Sequence, residues 1–372
     1  MTVATARKTA PPPDDRRRAR AAFLAGAGWG DAAALPLAGD ASTRAYDRLT
    51  RLGGERALLM DAPPAAEGAS CPADADPATR AALGYNALAR LAGPNLNAFV
   101  DLAATLRSAG LSAPEVYAHD ADNGFALIED LGDDLYARAI PAGADERTLY
   151  EVAIDALLAL ADASPAPPAR AAYSTLDYDD VALQAEAALL QEWYAPFKTG
   201  RALDPAFAND VSAAWAEALA ALAPPRTLVL RDFHAENLIW LPDRVGAKRV
   251  GVIDFQDGLV GDRAYDPVSL LEDARRDVAP ELAEAMLKRY VDGAGEAGAF
   301  DEDGFRAAYA LLGAQRNAKI LGVFARLIVR DGKPRYADFL PRVEANFRRN
   351  MRHPALARVR AALAGALPEL TR

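Results

Sequence analysis

Apolar and polar residues alternate in several short segments of the first third of the chain, as they do in strands with one buried face. This pattern predicts strands at 44–52, 55–60, 114–119 and 124–131. The first two are separated by Gly53-Gly54, which is a typical hairpin turn. Apolar residues at helical spacing predict helices at 15–27, 79–92 and 97–109. Together these elements predict a small sheet accompanied by helices.

Helical patterns dominate after Gly132. They are interrupted between 226 and 256 by three apolar segments, TLVLRDF, NLIWLPD and RVGVIDF, which predict a compact β insert. Helices are predicted again from Asp266-Pro267 to the end. We therefore expect an α+β, protein-kinase-like bilobal fold with a small β-rich N-lobe and a large, mainly helical C-lobe. The predicted divisions are a tail and helix at 1–33, an N-lobe at 34–131 and a C-lobe at 132–372.

Composition narrows the possible partners without changing this fold class. The chain has 372 residues, of which 51% are apolar, and a net charge of −10, which argues against broad nucleic-acid binding. A single cysteine, Cys71, gives no disulfide framework, and three scattered histidines make no zinc site. No apolar run is long enough for a membrane span, and the first 20 residues lack the apolar core of a secretory signal. We therefore expect a cytoplasmic protein with no membrane, nucleic-acid or obligate protein partner.

Two segments carry the residues that phosphoryl transfer needs. Asp232 and Asn237 have the spacing D-x-x-x-x-N, in which a carboxylate that can accept a hydroxyl proton precedes an amide ligand for Mg²⁺. Asp254 follows the apolar segment RVGVI and supplies a second oxygen ligand. Because NLIWL and RVGVIDF are predicted to pair as a hairpin, Asn237 and Asp254 should lie close together. Either half alone is weak evidence, but both in this order, within two predicted lobes, indicate a kinase.

A resemblance to a known family rests on six segments. They are GDASTRAYDRL (39–49), LLMDAPP (58–64), LIEDLGDDLY (127–136), LRDFHAENLIWL (230–241), VIDFQDGLVGDRAYDPVSLLEDA (252–274) and QRNAKILGVFARL (315–327). With them the chain resembles the aminoglycoside phosphotransferase/choline kinase superfamily. Within that superfamily it is similar to the bacterial N-acetylmuramate/N-acetylglucosamine anomeric kinases.

The resemblance implies an enzyme that uses ATP and Mg²⁺ to phosphorylate a small-molecule sugar. It assigns Asp232 as the catalytic base, and Asn237 and Asp254 as Mg²⁺ ligands. It also implies a hinge at the end of the N-lobe, where the backbone near Glu129 and Leu131 would hold the adenine. In the similar kinases the anomeric hydroxyl is phosphorylated for peptidoglycan recycling, so we expect N-acetylmuramate and N-acetylglucosamine as acceptors.

The strand expected to carry a phosphate-binding lysine does not contain one. It reads ALLMDAPP, with Met60 near the expected place, and the predicted N-lobe has no lysine. Arg44, at the end of the GDAST turn, is the predicted replacement, because arginine can bind phosphate bidentately; Arg48 is the second candidate. Backbone N–H groups of the turn, at Ser42 and Thr43, are also expected to face the phosphates.

Four residues are predicted to face the acceptor, each with a structural alternative. His234 and Glu236 flank the base, and His234 would bind the sugar or fix the loop. Asp257 would contact metal or sugar, or cap the following turn. Arg316 lies among polar residues in an apolar segment and would bind the acceptor or its carboxylate, or form a buried ion pair. Asp266 is expected to fix the loop.

Two other functions stay open from the sequence. An aminoglycoside or choline acceptor would need a pocket rich in acids or aromatics, which the acidic segment 254–273 allows. A non-catalytic nucleotide-binding module would explain the missing lysine, although Asp232, Asn237 and Asp254 are all present. A protein kinase fits less well, because no A-P-E element follows Asp254.

Overall fold

The computed structural model describes residues 13–37, 44–64, 70–163, 171–222 and 226–372, which form two lobes. Within these residues the N-lobe has five antiparallel strands, in the order β1-β2-β3-β5-β4. They are β1 (Ala33–Pro36), β2 (Ala45–Thr50), β3 (Arg56–Asp61), β4 (Val116–Asp120) and β5 (Phe125–Ile128). The N-lobe helices described are α1 (Pro13–Gly26), α2 (Pro77–Leu83), α3 (Tyr85–Leu88) and α4 (Leu96–Ser108). The β2–β3 hairpin closes at the predicted glycine pair, with Thr50 opposite Arg56.

Two elements of the N-lobe differ from the sequence prediction for local reasons. Strand β1 was not predicted, because its four residues are all exposed and show no alternation of apolar and polar positions. The single helix expected at 79–92 is divided into α2 and α3 at Gly84, whose φ of 99° ends the first helix.

Each face of the N-lobe sheet is covered. On one face, α1 packs over Leu59 and Phe125, and Phe23 of α1 stacks on Phe125 with ring centroids 5.7 Å apart. On the other face, Met60 belongs to the core that includes α4 and the C-lobe. The change of face from Leu59 to Met60 is the two-residue period of a strand. Helix α1 therefore packs as part of the N-lobe.

The C-lobe is mainly helical, as predicted. Its described helices are α5 (Tyr136–Ala139), α6 (Glu146–Asp162), α7 (Asp180–Leu189), α8 (Ala195–Thr199), α9 (Pro205–Leu219), α10 (Tyr265–Leu271), α11 (Pro280–Ala297), α12 (Glu302–Val329), α13 (Leu340–Met351) and α14 (Ala357–Leu363). A π-helical turn (Leu190–Tyr194) joins α7 to α8, and 3₁₀ turns lie at Gly246–Arg249, Pro334–Phe339, Pro354–Leu356 and Pro368–Leu370. Across the described ranges, no helix is long and apolar enough to cross a membrane.

Four short strands in the C-lobe position the motif residues. Strand β6 (Arg226–Val229) pairs antiparallel with β9 (Leu259–Asp262), and β7 (Leu238–Trp240) pairs antiparallel with β8 (Val250–Val252). The β7–β8 hairpin confirms the predicted pairing. Strand β9 was not predicted, because LVGD is short and only half apolar. These pairs bring the loop after β6, which we call the catalytic loop (230–237), next to the loop after β8.

Helix α12 has 28 residues and is buried along much of its length. The polar residues Gln315, Arg316 and Asn317 are among those buried. Further along, Gly322 lies against the backbone of Leu189: a Cβ at this position would be 2.4 Å from the Leu189 carbonyl oxygen. The missing side chain therefore lets α12 approach the end of α7 closely.

Candidate active site

Two charged residues in the loops after β6 and β8 have left-handed backbone conformations. Arg231 has a φ of 71° and Asp254 a φ of 59°, which are uncommon for residues other than glycine. Such conformations persist only where the surroundings enforce them, and they concentrate at functional sites. Asp254 faces the N-lobe, since its carboxylate lies 3.9 Å from the guanidinium of Arg44.

Asp266, on α10, holds the start of the catalytic loop. Its two carboxylate oxygens accept hydrogen bonds from the backbone N–H groups of Leu230 (2.7 Å) and Arg231 (2.9 Å). Ser269 donates to the Arg231 carbonyl at 3.1 Å. Burial raises the pKa of Asp266 to about 7, which the two backbone donors oppose. Asp266 therefore fixes the start of the catalytic loop through two backbone N–H groups.

Asn237 and Asp254 lie next to each other at the end of the β7–β8 hairpin. The backbone N–H of Ile253 donates to the Asn237 carbonyl at 3.1 Å, which places Asp254 next to Asn237. Asn237 Nδ2 donates to the carbonyl of Asp232 at 3.0 Å, so its Oδ1 is the atom available to a metal. Gln256 Nε2 donates to Asp254 Oδ1 at 2.8 Å. The hairpin thus brings the two predicted Mg²⁺ ligands together, next to the predicted base.

This donor set fits Mg²⁺ held jointly with phosphates. Mg²⁺ in phosphotransferases commonly takes one or two protein oxygen ligands and completes its shell with phosphate and water. In keeping with this, the described part of the chain has no group of three acidic, histidine or cysteine side chains that would hold a metal alone. Burial in the cleft raises the pKa of Asp254, and the neighbouring negative charge of Asp232 raises it further. Half of the Asp254 side chain is exposed to solvent, which moderates that rise. A divalent cation would relieve this repulsion between Asp254 and Asp232.

A buried ionic network lies behind the catalytic loop. Glu186 of α7 is fully buried and accepts hydrogen bonds from the guanidinium of Arg231 and the hydroxyl of Tyr178. It also accepts from Lys319 Nζ at 2.9 Å and from Gln315 Nε2 at 3.2 Å. One carboxylate therefore faces two cations, which leaves positive charge next to the loop.

That excess charge acts on Asp232. Burial by itself would raise the pKa of Asp232, but the nearby charges of Lys319 and Arg316 outweigh it and lower the pKa. Asp232 is consequently ionised at neutral pH, the form that can accept a proton. Sequence inspection missed Glu186 and Lys319. The available signal was Lys319 itself, one of six lysines in the chain, placed in an otherwise apolar helix segment.

His234 and Arg316 both come close to Asp232. His234 is buried, and its Nε2 lies 3.3 Å from a guanidinium nitrogen of Arg275, which can only donate. The imidazole proton is therefore on Nδ1, which is buried without a hydrogen-bond partner. Burial lowers the pKa of His234 to about 4, so the ring is neutral. Arg316 is also buried and its Nη1 has no hydrogen-bond partner, so two donors are available beside the base.

The remaining predicted residues have contacts of their own. Glu236 lies at the surface of the catalytic loop, with Oε2 3.1 Å from Nε of Arg275. Asp257 accepts a hydrogen bond from the backbone N–H of Ala92 at 2.7 Å, in a distant part of the chain and not in the turn that follows Asp257, and its role towards the acceptor stays a prediction. Ser42 and Thr43 lie outside the described residues.

The hinge residues join the two lobes. The Glu129 carboxylate pairs with Arg244 of the C-lobe and with Arg107 of α4, and the Glu129 N–H donates to the Glu115 carbonyl at 2.8 Å. Leu131 is buried. Binding of adenine by the backbone of this segment remains a prediction.

Of the two arginines considered for the missing lysine, Arg44 is the one placed beside Asp254, a predicted metal ligand. Its guanidinium approaches Asp254, as described above, whereas Met60 is buried on β3 and its sulfur accepts from Tyr46. Arg48 is held instead by the hinge: its Nε donates to Asp130 at 2.8 Å, and its Nη atoms donate to Asp133.

A sequence model of the phosphotransferase enzyme family matches residues 33–300. The chain belongs to this family. It is 48% identical over 363 residues to an N-acetylmuramate/N-acetylglucosamine kinase of Caulobacter vibrioides, a match that covers 96% of this chain and 98% of the relative. It is 35% identical over 332 residues to a kinase of the same name from Pseudomonas aeruginosa, covering 85% of this chain and 83% of the relative.

Solved structures confirm the two-lobed, kinase-like fold of this phosphotransferase. A choline/ethanolamine kinase family protein from Mesorhizobium loti aligns with a TM-score of 0.53 at 18% identity, covering 94% of this chain and 98% of that one. The ADP-bound aminoglycoside phosphotransferase APH(2'')-Ib aligns with a TM-score of 0.51 at 15% identity, covering 89% and 97% of the two chains. At such identities these two likenesses concern the fold alone.

Proposed function

We propose that this phosphotransferase is an ATP- and Mg²⁺-dependent kinase that phosphorylates the anomeric hydroxyl of N-acetylmuramate and N-acetylglucosamine, in the cytoplasm, as part of peptidoglycan recycling. The observation that carries the proposal is the 48% identity to a kinase named for both sugars, over nearly the whole of both chains. The grouping of Asp232, Asn237 and Asp254 supports the chemistry.

In the proposed reaction Asp232 accepts the proton of the anomeric hydroxyl. The acceptor oxygen bonds to the γ-phosphorus as the bond from that phosphorus to ADP breaks. An anomeric hydroxyl is more acidic than an ordinary alcohol, so a carboxylate with a lowered pKa is basic enough, and orientation contributes the rest. Mg²⁺, held by Asn237 and Asp254, would offset the charge of the phosphate oxygens.

The chain's own cations complete the site. Arg44 would contact the phosphates from the N-lobe side, beside Asp254. On the acceptor side, the Nδ1–H of His234 and the free Nη1–H of Arg316 are donors suited to sugar hydroxyl or carbonyl oxygens. Both donors are buried, and a buried donor without a partner costs more free energy than an exposed donor, which can bond to water.

Incubation with Mg-ATP and a panel of acceptors tests the proposed function. We expect ADP release with N-acetylmuramate and N-acetylglucosamine, and product NMR should place the phosphate on C1. Aminoglycosides and choline, tested in the same way, should give no turnover. Turnover of an amine without turnover of either N-acetyl sugar would refute the proposal. ATP binding with no turnover of any acceptor would instead favour a non-catalytic nucleotide-binding module.

Replacing Arg44 by alanine is expected to lower kcat/KM for ATP about 10- to 100-fold, because charge-assisted hydrogen bonds of about 1.5–3 kcal/mol to the phosphates are lost. Steady-state kinetics with varied ATP measure the effect. Arg18→Ala is the matched control, since Arg18 is an exposed arginine of α1 that pairs with Asp15. Unchanged ATP kinetics for Arg44→Ala would remove Arg44 from the phosphate site.

A further inference from the structure

We propose that Arg275 binds the carboxylate of N-acetylmuramate by exchanging its present partner, Glu236, for that carboxylate. With N-acetylglucosamine, which has no carboxylate, the Arg275–Glu236 pair stays intact. This inference rests on the proposed function and names the residue that distinguishes its two acceptors.

The two acceptors differ in charge at one position. N-acetylmuramate carries a lactyl ether with a carboxylate on C3, two ring carbons from the reacting hydroxyl, where N-acetylglucosamine has a hydroxyl. A buried cation dedicated to this carboxylate would be left without a counter-ion whenever the neutral sugar is bound, which is costly. A cation with its own displaceable counter-ion avoids that cost.

Arg275 and Glu236 have the geometry of such a displaceable pair. Arg275 Nε lies 3.1 Å from Glu236 Oε2, and the two side chains are 32% and 48% exposed. An ion pair this open to solvent contributes little free energy. Replacing one carboxylate by another on Arg275 is therefore close to neutral, and the same site can serve either sugar.

The position of Arg275 next to the base is held by Asp273. The backbone N–H of Arg275 donates to Asp273 Oδ1 at 2.8 Å, and the N–H of Ala235, in the catalytic loop, donates to Asp273 Oδ2 at 3.3 Å. The Arg275 guanidinium also contacts the His234 ring at 3.3 Å. These contacts tie Arg275 to the catalytic loop beside His234, two residues along the chain from Asp232.

Other arginines near the site fit this role less well. Arg316 is buried, and its Nη1–H is assigned above to a hydroxyl or carbonyl oxygen that both sugars carry, so it would not distinguish them. Arg342 resembles Arg275 in having an exposed carboxylate partner, Asp277, but no contact places it on the catalytic loop. Arg342 is therefore the matched control.

The test compares kcat/KM for the two sugars in Arg275→Met, Glu236→Gln and Arg342→Met. In Arg275→Met, the ratio of kcat/KM for N-acetylmuramate to that for N-acetylglucosamine should fall about three- to fivefold, because the attraction is lost and Glu236 now repels the carboxylate. Glu236→Gln should raise the ratio severalfold, because the competing carboxylate is gone. Arg342→Met should keep the wild-type ratio.

The methyl ester of N-acetylmuramate is uncharged and tests whether the carboxylate is the group that Arg275 binds. The ratio of kcat/KM for this ester to that for N-acetylglucosamine should be the same in Arg275→Met as in the wild type.

The outcomes separate the two proposals. If the wild-type protein phosphorylates neither sugar, the proposed function is wrong and the role of Arg275 falls with it. If it phosphorylates both, but Arg275→Met leaves their ratio within about twofold, or Arg342→Met lowers the ratio instead, the inference is wrong while the function stands. Thermal unfolding of each variant confirms that it is folded, and Glu236→Gln tests the exchange independently of Arg275→Met.

Discussion

Asp232→Asn is expected to lower kcat about 10³-fold, within the range of 10²–10⁴ that general acid–base catalysis contributes. The amide has the shape of the carboxylate but cannot accept the hydroxyl proton. The backbone of residue 232, which receives the hydrogen bond from Asn237, is unchanged by the substitution. Folding and ATP binding should therefore survive, and single-turnover assays with saturating ATP and N-acetylglucosamine measure the loss.

The control for this result is the proposed metal ligand Asp254. Asp254→Asn should raise the Mg²⁺ concentration at which the rate is half-maximal, whereas Asp232→Asn should lower the rate at every Mg²⁺ concentration, because Asp232 is assigned to the proton. Full activity of Asp232→Asn would overturn the proposed mechanism as a whole.

Glu186→Gln is expected to lower the free energy of unfolding by about 3–5 kcal/mol, the usual effect of removing one partner from a buried ion pair. The variant leaves the buried guanidinium of Arg231 and the partly buried ammonium of Lys319 without the carboxylate they share. A glutamine has the same shape and can still accept hydrogen bonds from Tyr178 and Gln315. The fall in the free energy of unfolding therefore measures the effect of removing the negative charge. Urea unfolding followed by circular dichroism measures it.

An exposed pair provides the comparison for Glu186→Gln. Glu151→Gln breaks the pair with Arg147 on α6, whose arginine is mostly open to solvent, and should change stability by less than about 1 kcal/mol. A change of similar size in both variants would contradict the importance assigned to the buried network.

Most of the catalytic centre follows from local features of the sequence. The hairpin that joins Asn237 to Asp254 follows from two apolar segments close together in the chain, separated by the loop 241–249, and the spacing of Asp232 and Asn237 needs no knowledge of the fold. These features depend on residues close in the chain, where periodicity and turn chemistry are informative.

The supporting contacts could not be predicted in this way, because they join distant parts of the chain. Glu186 lies 45 residues from Arg231, and Asp257 lies 165 residues from Ala92. No local pattern specifies such pairs, since each residue alone resembles an ordinary surface charge. The alternative contacts of Arg48 were missed for the same reason: its partners on the hinge lie 82 and 85 residues away.

Helix α12 carries Lys319 and Arg316, two of the groups whose charge lowers the pKa of Asp232, so the position of the helix affects how strongly they act. That position is set at Gly322, where any side chain would collide with the Leu189 backbone and push the helix outward. Coulomb energy falls as charges separate. Gly322 thus affects the basicity of the Asp232 carboxylate from a position outside the proposed site. Homologues with a larger residue here could work over a different pH range while keeping every active-site side chain the same.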